Sequence, residues 1–261
     1  MKALSIAATG MLAQQTNVEV ISNNISNMNT TGFKRQRAEF QDLIYQNLER
    51  VGSATSDQGT LSPSGIQIGV GVRTAGVYRI TEQGNLVTTQ NTYDLAIQGR
   101  GYFQILLPDG QEAYTRAGSF SVSQDGQLVT NDGYLVQPGI AIPAGAVDVS
   151  INAQGAVQAK LPGQVNAQAV GQVSLATFFN EAGLEAIGGN LLVESEASGP
   201  ATLGTPGTNG YGSIMQGFLE TSNVNSVQEI TSLITAQRAY EMNAKVITAS
   251  DEMLSTTSNL R

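Results

Sequence analysis

Four glutamates, Glu181, Glu185, Glu194 and Glu196, lie close enough in sequence to raise the possibility of a carboxylate pair of the kind that hydrolyses glycosides. Nothing in their spacing selects two of them, and acidic residues near loops are normally solvated. Asp109-Gly110, Asp125-Gly126 and Asp132-Gly133 could suggest calcium loops, but none sits in an Asp-x-Asp-x-Asp-Gly array with a following Glu, so they read as hairpin turns. Gly69-x-Gly71 and Gly99-x-Gly101 lack the third glycine of a dinucleotide fingerprint, and β-like residues follow where a helix should begin. Strand ends or bulges account for them. The chain has no Cys and no His, which removes thiol nucleophiles, disulfides, most transition-metal sites and the usual general base. No catalytic residue, cofactor-binding residue or metal ligand is expected.

Charge points the same way. The net charge is −8, and the only compact basic cluster, Lys34, Arg35 and Arg37, reads as a solvated turn, so nucleic-acid binding is not expected. Charged residues make up 13% of the chain, about half the usual share. A polar, weakly charged surface suits a protein whose surface is consumed by copies of itself. Residues 1–16 lack a charged segment leading into a sustained apolar one, and no run of about eighteen apolar residues occurs. Neither a cleaved signal nor direct membrane insertion is expected.

The elements that must carry any function differ between the ends and the middle. All seven prolines lie between Pro63 and Pro206, leaving both ends free of helix breakers. At the N-terminus Leu4, Met11, Val18 and Ile25 repeat every seven residues, with Ile21 and Met28 three positions after the last two. At the C-terminus Leu233, Tyr240, Ile247 and Leu254 do the same, supported by Ile230 and Ala244, after a Ser226/Glu229 pair that reads as a capping box. Each row is too sparse for a lone helix in water, so the pair is expected to bury its apolar rows against one another and against neighbouring copies. The middle shows short alternating runs such as Tyr102 to Leu107, Gln127 to Thr130 and Val147 to Asn152, separated by the Asp-Gly turns.

The fold expected is α+β: terminal helices forming an inner coiled coil, extended connectors, and a central, mainly antiparallel β domain. The boundaries are a helix over 1–32, a connector over 33–69, the β domain over 70–197, a returning connector over 198–222 and a helix over 223–261.

The run from Ile21 to Lys34, ISNNISNMNTTGFK, closely resembles the N-terminal signature of flagellar rod and hook proteins, with Asn23, Asn24, Asn27, Gly32, Phe33 and Lys34 as its signature residues. Residues 217–224 and 233–243 resemble the C-terminal motif of that family, and Asp94 to Phe103 and Tyr114 to Phe120 resemble its β-domain motifs. Leu61 to Val72 looks most like the segment after the connector in distal-rod members. The resemblance implies a homo-oligomeric helical tube with the terminal helices inside. It implies unfolded export by the flagellar type III apparatus and assembly in the periplasm between proximal rod and hook, inside the P and L rings. There the tube would act as a drive shaft carrying motor torque for swimming. A proximal rod or hook subunit is the alternative within the family. A secreted β-rich carbohydrate-active protein is the alternative outside it.

Overall fold

The computed structural model describes residues 2–49, 64–164 and 166–259, the side chain of Asn259 excepted. The chain divides into two compact units and passes between them at four points. The first contains Met1–Ile25, Gln36–Tyr78 and Asn225–Arg261, and the second Ser26–Arg35 and Arg79–Val224.

The first unit is built on two long helices, α1 over Lys2–Ser26 and α2 over Ser226–Asn259. α1 stops where its apolar pattern does: Thr30 N donates to Asn27 O and Thr30 Oγ1 to Asn27 Oδ1, closing a turn that competes with further helix. α2 begins with a different cap from the one its sequence suggests. Asn225 Oδ1 accepts from the backbone N of Val227 at 3.1 Å and of Gln228 at 3.3 Å, so Asn225 is the capping residue and the Ser226/Glu229 box does not form. Glu229 is instead buried and accepts from Asn24 Nδ2 at 3.2 Å.

That contact also fixes the helix pairing. A Cβ at Gly10 would meet Asn243 Nδ2 at 2.9 Å. From Asn24 to Gly10 and from Glu229 to Asn243 the chain moves fourteen residues in opposite senses, so α1 and α2 run antiparallel. Glycine at position 10 permits the close approach.

Residues 36–49 and 66–69, expected in the connector, and residues 70–79, expected in the β domain, form an antiparallel ribbon that belongs to the first unit up to Tyr78. Gln36–Asp42 pairs with Val72–Arg79 and Tyr45–Glu49 with Ile66–Gly69, joined through Leu43 N to Gly71 O at 2.8 Å. Ile44, Tyr45 and Leu48 stand exposed along it. Residues 50–63 of that expected connector, including Leu61, Ser62 and Pro63, lie outside the described residues.

The second unit is an antiparallel β body. Its largest sheet places Tyr102–Leu106 at the centre, hydrogen-bonded to Glu112–Thr115, Leu135–Val136 and Leu175–Thr177. All three Asp-Gly pairs are hairpin turns: Gly110 N donates to Leu107 O, Gly126 N to Ser123 O and Gly133 N to Thr130 O. The main core unites Leu95, Ile97, Phe103, Ile105, Phe120, Leu128, Val157, Leu175 and Ile214, with Phe103 and Phe120 edge-on at 5.1 Å between ring centroids.

Residues 198–222, expected as a returning connector, belong to this body. Thr202–Gly204 pairs with Leu175–Thr177, Ser213–Gln216 with Leu95–Gln98, and Phe218–Glu220 with Leu86–Thr88. The Gly- and Thr-rich run 198–212 concealed the short strand Thr202–Gly204, which is held by pairing with Leu175–Thr177, while Ser213–Gln216 is also held by Ile214 in the main core.

Candidate assembly surface and its anchor

The most demanding chemistry in the molecule is a buried ionic cluster centred on Glu220. Its Oε1 accepts from Lys34 Nζ at 2.6 Å and Gly84 N at 2.9 Å, while Oε2 accepts from Arg116 Nε at 2.5 Å. Arg116 spends its remaining donors on three carbonyls: Gly101 at 2.5 Å, Ile97 at 2.9 Å and Gly99 at 2.6 Å. Lys34 Nζ also reaches Glu82 O at 2.8 Å. All three charged side chains are buried, which is tolerable because each is paired and hydrogen-bonded. Lys34, expected in a solvated basic turn, is therefore buried, while Arg37 of the same cluster is exposed. Lys34 is drawn inward by Glu220, and Arg37 lies 6.0 Å from the Tyr78 ring centroid.

Burial alone would raise the Glu220 carboxyl, but the attraction of Arg116 and Lys34 outweighs it and holds the group below the usual carboxylate range. Burial lowers Lys34 below an ordinary lysine, an effect that Glu220 only partly offsets because it also serves Arg116.

The cluster explains why loop 26–35, which follows α1, belongs to the β body. Gly32 N donates to Glu220 O at 2.8 Å, and its φ of +69° with Ala117 N 2.7 Å from any added Cβ leaves room for glycine alone. Arg35 N donates to Asn223 Oδ1 at 2.7 Å, and Asn223 Nδ2 bonds the carbonyls of Ile80 and Glu82, each at 3.0 Å. Within the first unit, Asn24 imitates a strand: its amide accepts from Gln36 N and donates to Gln36 O, both at 2.8 Å. Thus Asn24, Asn27, Gly32 and Lys34 each have a visible structural task. Phe33 is half-buried, with its N donating to Thr30 O at 3.3 Å, and Asn23 lies exposed on α1.

Sequence reasoning missed the partners Arg116, Glu220 and Asn223. The available signal was charge inside strand-like motifs of a chain poor in charged residues.

The sevenfold rows occupy a different position. The buried residues of α1 are Ala7, Ala13, Val20, Ile21 and Asn24, whereas Leu4, Met11, Val18 and Ile25 are only half-buried. On α2 the buried positions are Glu229, Ala236 and Ser250; Leu233 and Ile247 are half-buried. Ile230, Tyr240 and Leu254 stay exposed at 49%, 44% and 40%. The two helices thus meet inside one chain through small and polar residues. The α1 row is thus largely covered, whereas the α2 row keeps Ile230, Tyr240 and Leu254 open to water.

The residues that could have done chemistry are used otherwise. Glu181 accepts from the Tyr102 hydroxyl at 3.2 Å and Glu194 from the Tyr114 hydroxyl at 2.7 Å, so both serve a small aromatic cluster with Phe178; Glu185 and Glu196 are exposed. Gly99 and Gly101 lie between strands and give their carbonyls to Arg116. Among the described residues no group of three or more His, Cys, Asp or Glu could hold a metal ion, and no helix is long and apolar enough to cross a membrane.

An α+β chain whose C-terminal helix carries an open apolar row, and whose β body is clamped by buried charge, belongs to the class of structural subunits that assemble. Comparison with known proteins makes this specific. The model for flagella basal body rod proteins matches residues 4–34, that for the flagellar hook protein FlgE/F/G D1 domain residues 96–159, and that for the flagellar basal body rod FlgEFG protein C-terminal region residues 215–260. The chain is 62% identical to the flagellar basal-body rod protein FlgG of Caulobacter vibrioides over 261 residues, covering 100% of both chains. It is 52% identical to that of Agrobacterium fabrum over 98% of this chain and 97% of the relative. With that of Bacillus subtilis the identity is 40% over 100% and 99%. The chain belongs to the flagellar basal-body rod family.

Proposed function

We propose that this chain is a structural subunit of the distal flagellar rod, polymerising helically into the drive shaft that carries motor torque to the hook. The observation that carries this reading is the open apolar row on α2, beside the half-buried row on α1, in a chain that resembles rod proteins along its whole length. Torque transmission requires subunits that neither slip nor bend. Burying those rows between copies supplies about 25 cal/mol per Å² of apolar area without relying on surface salt bridges.

In this reading the assembly surface comprises Leu4, Met11, Val18 and Ile25 on α1 and Ile230, Leu233, Tyr240, Ile247 and Leu254 on α2, forming the inner wall of the tube; Ile21, expected in the same row, is buried within its own chain and is not available to a neighbour. Its partners are further copies of the same chain, the proximal rod below, the hook above, the P and L rings around it and the type III export apparatus. It works in the periplasm, after export.

Leu233→Asp and Ile247→Asp each place a charge on that surface. Both are expected to abolish rod assembly and motility while the β body keeps its circular dichroism spectrum. Normal rods isolated from cells carrying either variant would sink the proposal.

A further inference from the structure

Phe179 is the most exposed large apolar side chain among the described residues, at 102% of its reference area. Its neighbours hold it there. Phe178 turns inward, edge-on to Tyr102 and Tyr114 with ring centroids 5.9 and 4.8 Å away, and Asn180 Nδ2 donates to Ala197 O at 3.0 Å. A phenyl ring fixed in water between two anchored residues is preorganised as a binding anchor. Beside it Glu181 pairs with Arg100 Nε at 3.5 Å, and Arg100 is 77% exposed.

The first unit has a groove large enough to receive such a ring. α1 and the strand Val72–Arg79 line an open groove of about 350 Å³, in which Leu12, Ala13 and Val72 supply the apolar surface among threonine and glutamine side chains and the opposite charges Glu19 and Arg73. A benzene ring fits in a cavity of roughly 150 Å³. The full exposure of Phe179 means that it does not fill the groove of its own chain.

We propose that Phe179 of one copy inserts into this groove on the next, with Arg100 facing Glu19 and Glu181 facing Arg73. Knob and receptor are different surfaces of one chain, so the contact is heterologous. Such contacts build rings when their rotation closes and open helical arrays when it does not, and the rod reading requires the second. The inference rests on the rod reading and adds to it a second contact, separate from the sevenfold rows.

The chain lacks cysteine, which makes the test direct. Ala182→Cys, at an exposed position beside Phe179, and Thr16→Cys are combined in one full-length chain, assembled, and treated with a bismaleimide about as long as two side chains. A ladder of covalent multimers is expected, with each single variant giving none; assembled rods without a ladder would overturn the contact. Phe179→Ala is expected to raise the concentration needed for assembly at least about tenfold, with the melting curve of the monomer unchanged. Assembly at the wild-type concentration would equally refute it. If the wild-type chain forms no rods under any condition, the rod reading itself fails, and that result is distinct from rods that form without the ladder.

Discussion

At the scale of single residues, the decisive group is Glu220. Two cations and a backbone N–H converge on one buried carboxylate, so its loss strands charge in a low-dielectric interior. Glu220→Gln is expected to destabilise the β body by about 3 kcal/mol or more, read from urea denaturation. The pH dependence follows from the direction of the shift. Folding lowers the Glu220 carboxyl, so its contribution is complete above the ordinary glutamate range, near about 4.3, and is lost as pH falls through the lower folded value. Wild-type protein should therefore lose stability steeply below about pH 4, and the Gln variant should show a flatter acid limb. A Gln variant with the wild-type acid profile would remove Glu220 from the explanation. Lys34 was legible in the sequence as part of a motif. Its destination was not, because its partner lies 186 residues away, and no local pattern encodes a pairing across that distance.

At the scale of elements, the helices were readable and their packing was not. Periodicity located α1 and α2 well, since a sevenfold apolar row and an absence of proline are local properties. The same row suggested that the large residues face the partner helix within the chain. The intramolecular line instead runs through Gly10, Asn24, Glu229 and Asn243, where small or hydrogen-bonding side chains allow close contact. Gly10→Leu is expected to force the helices apart, lowering helical content at 222 nm, whereas Gly10→Ala meets only the movable end of Asn243 and should be mild. The cap offers a cleaner comparison. Asn225→Ala should cost about 1 kcal/mol of α2 stability, and Ser226→Ala close to nothing, because the side-chain bonds to Val227 and Gln228 come from Asn225. Equal losses from the two substitutions would restore the capping box. Strand recognition succeeded where Asp-Gly turns punctuated alternating runs, and failed for Thr202–Gly204 and Ser213–Gln216, whose identity as strands depends on their neighbours.

For the molecule as a whole, α+β architecture was visible from the contrast between proline-free ends and a turn-rich middle. The assignment of loop 26–35 to the β body was not, because it depends on contacts with Glu220, Ala117 and Asn223 that lie far along the chain. A fragment spanning 26–224 should fold its sheet, with a β-type dichroism spectrum and a cooperative melt. One spanning 79–224 lacks Lys34 and Gly32 and should melt at a distinctly lower temperature. Identical melting of the two would show that the loop is a passenger.

The bond between Lys34 and Glu220 also imposes a schedule. A polypeptide delivered end first, whether from a ribosome or through a narrow channel, exposes residue 34 early and residue 220 near the finish. Until that last stretch arrives, the clasp has only one half, and the strand Phe218–Glu220 that carries the other half is also missing from the sheet. In any chain that emerges N-terminus first, loop 26–35 therefore cannot be pinned through Lys34 until residue 220 has followed it out.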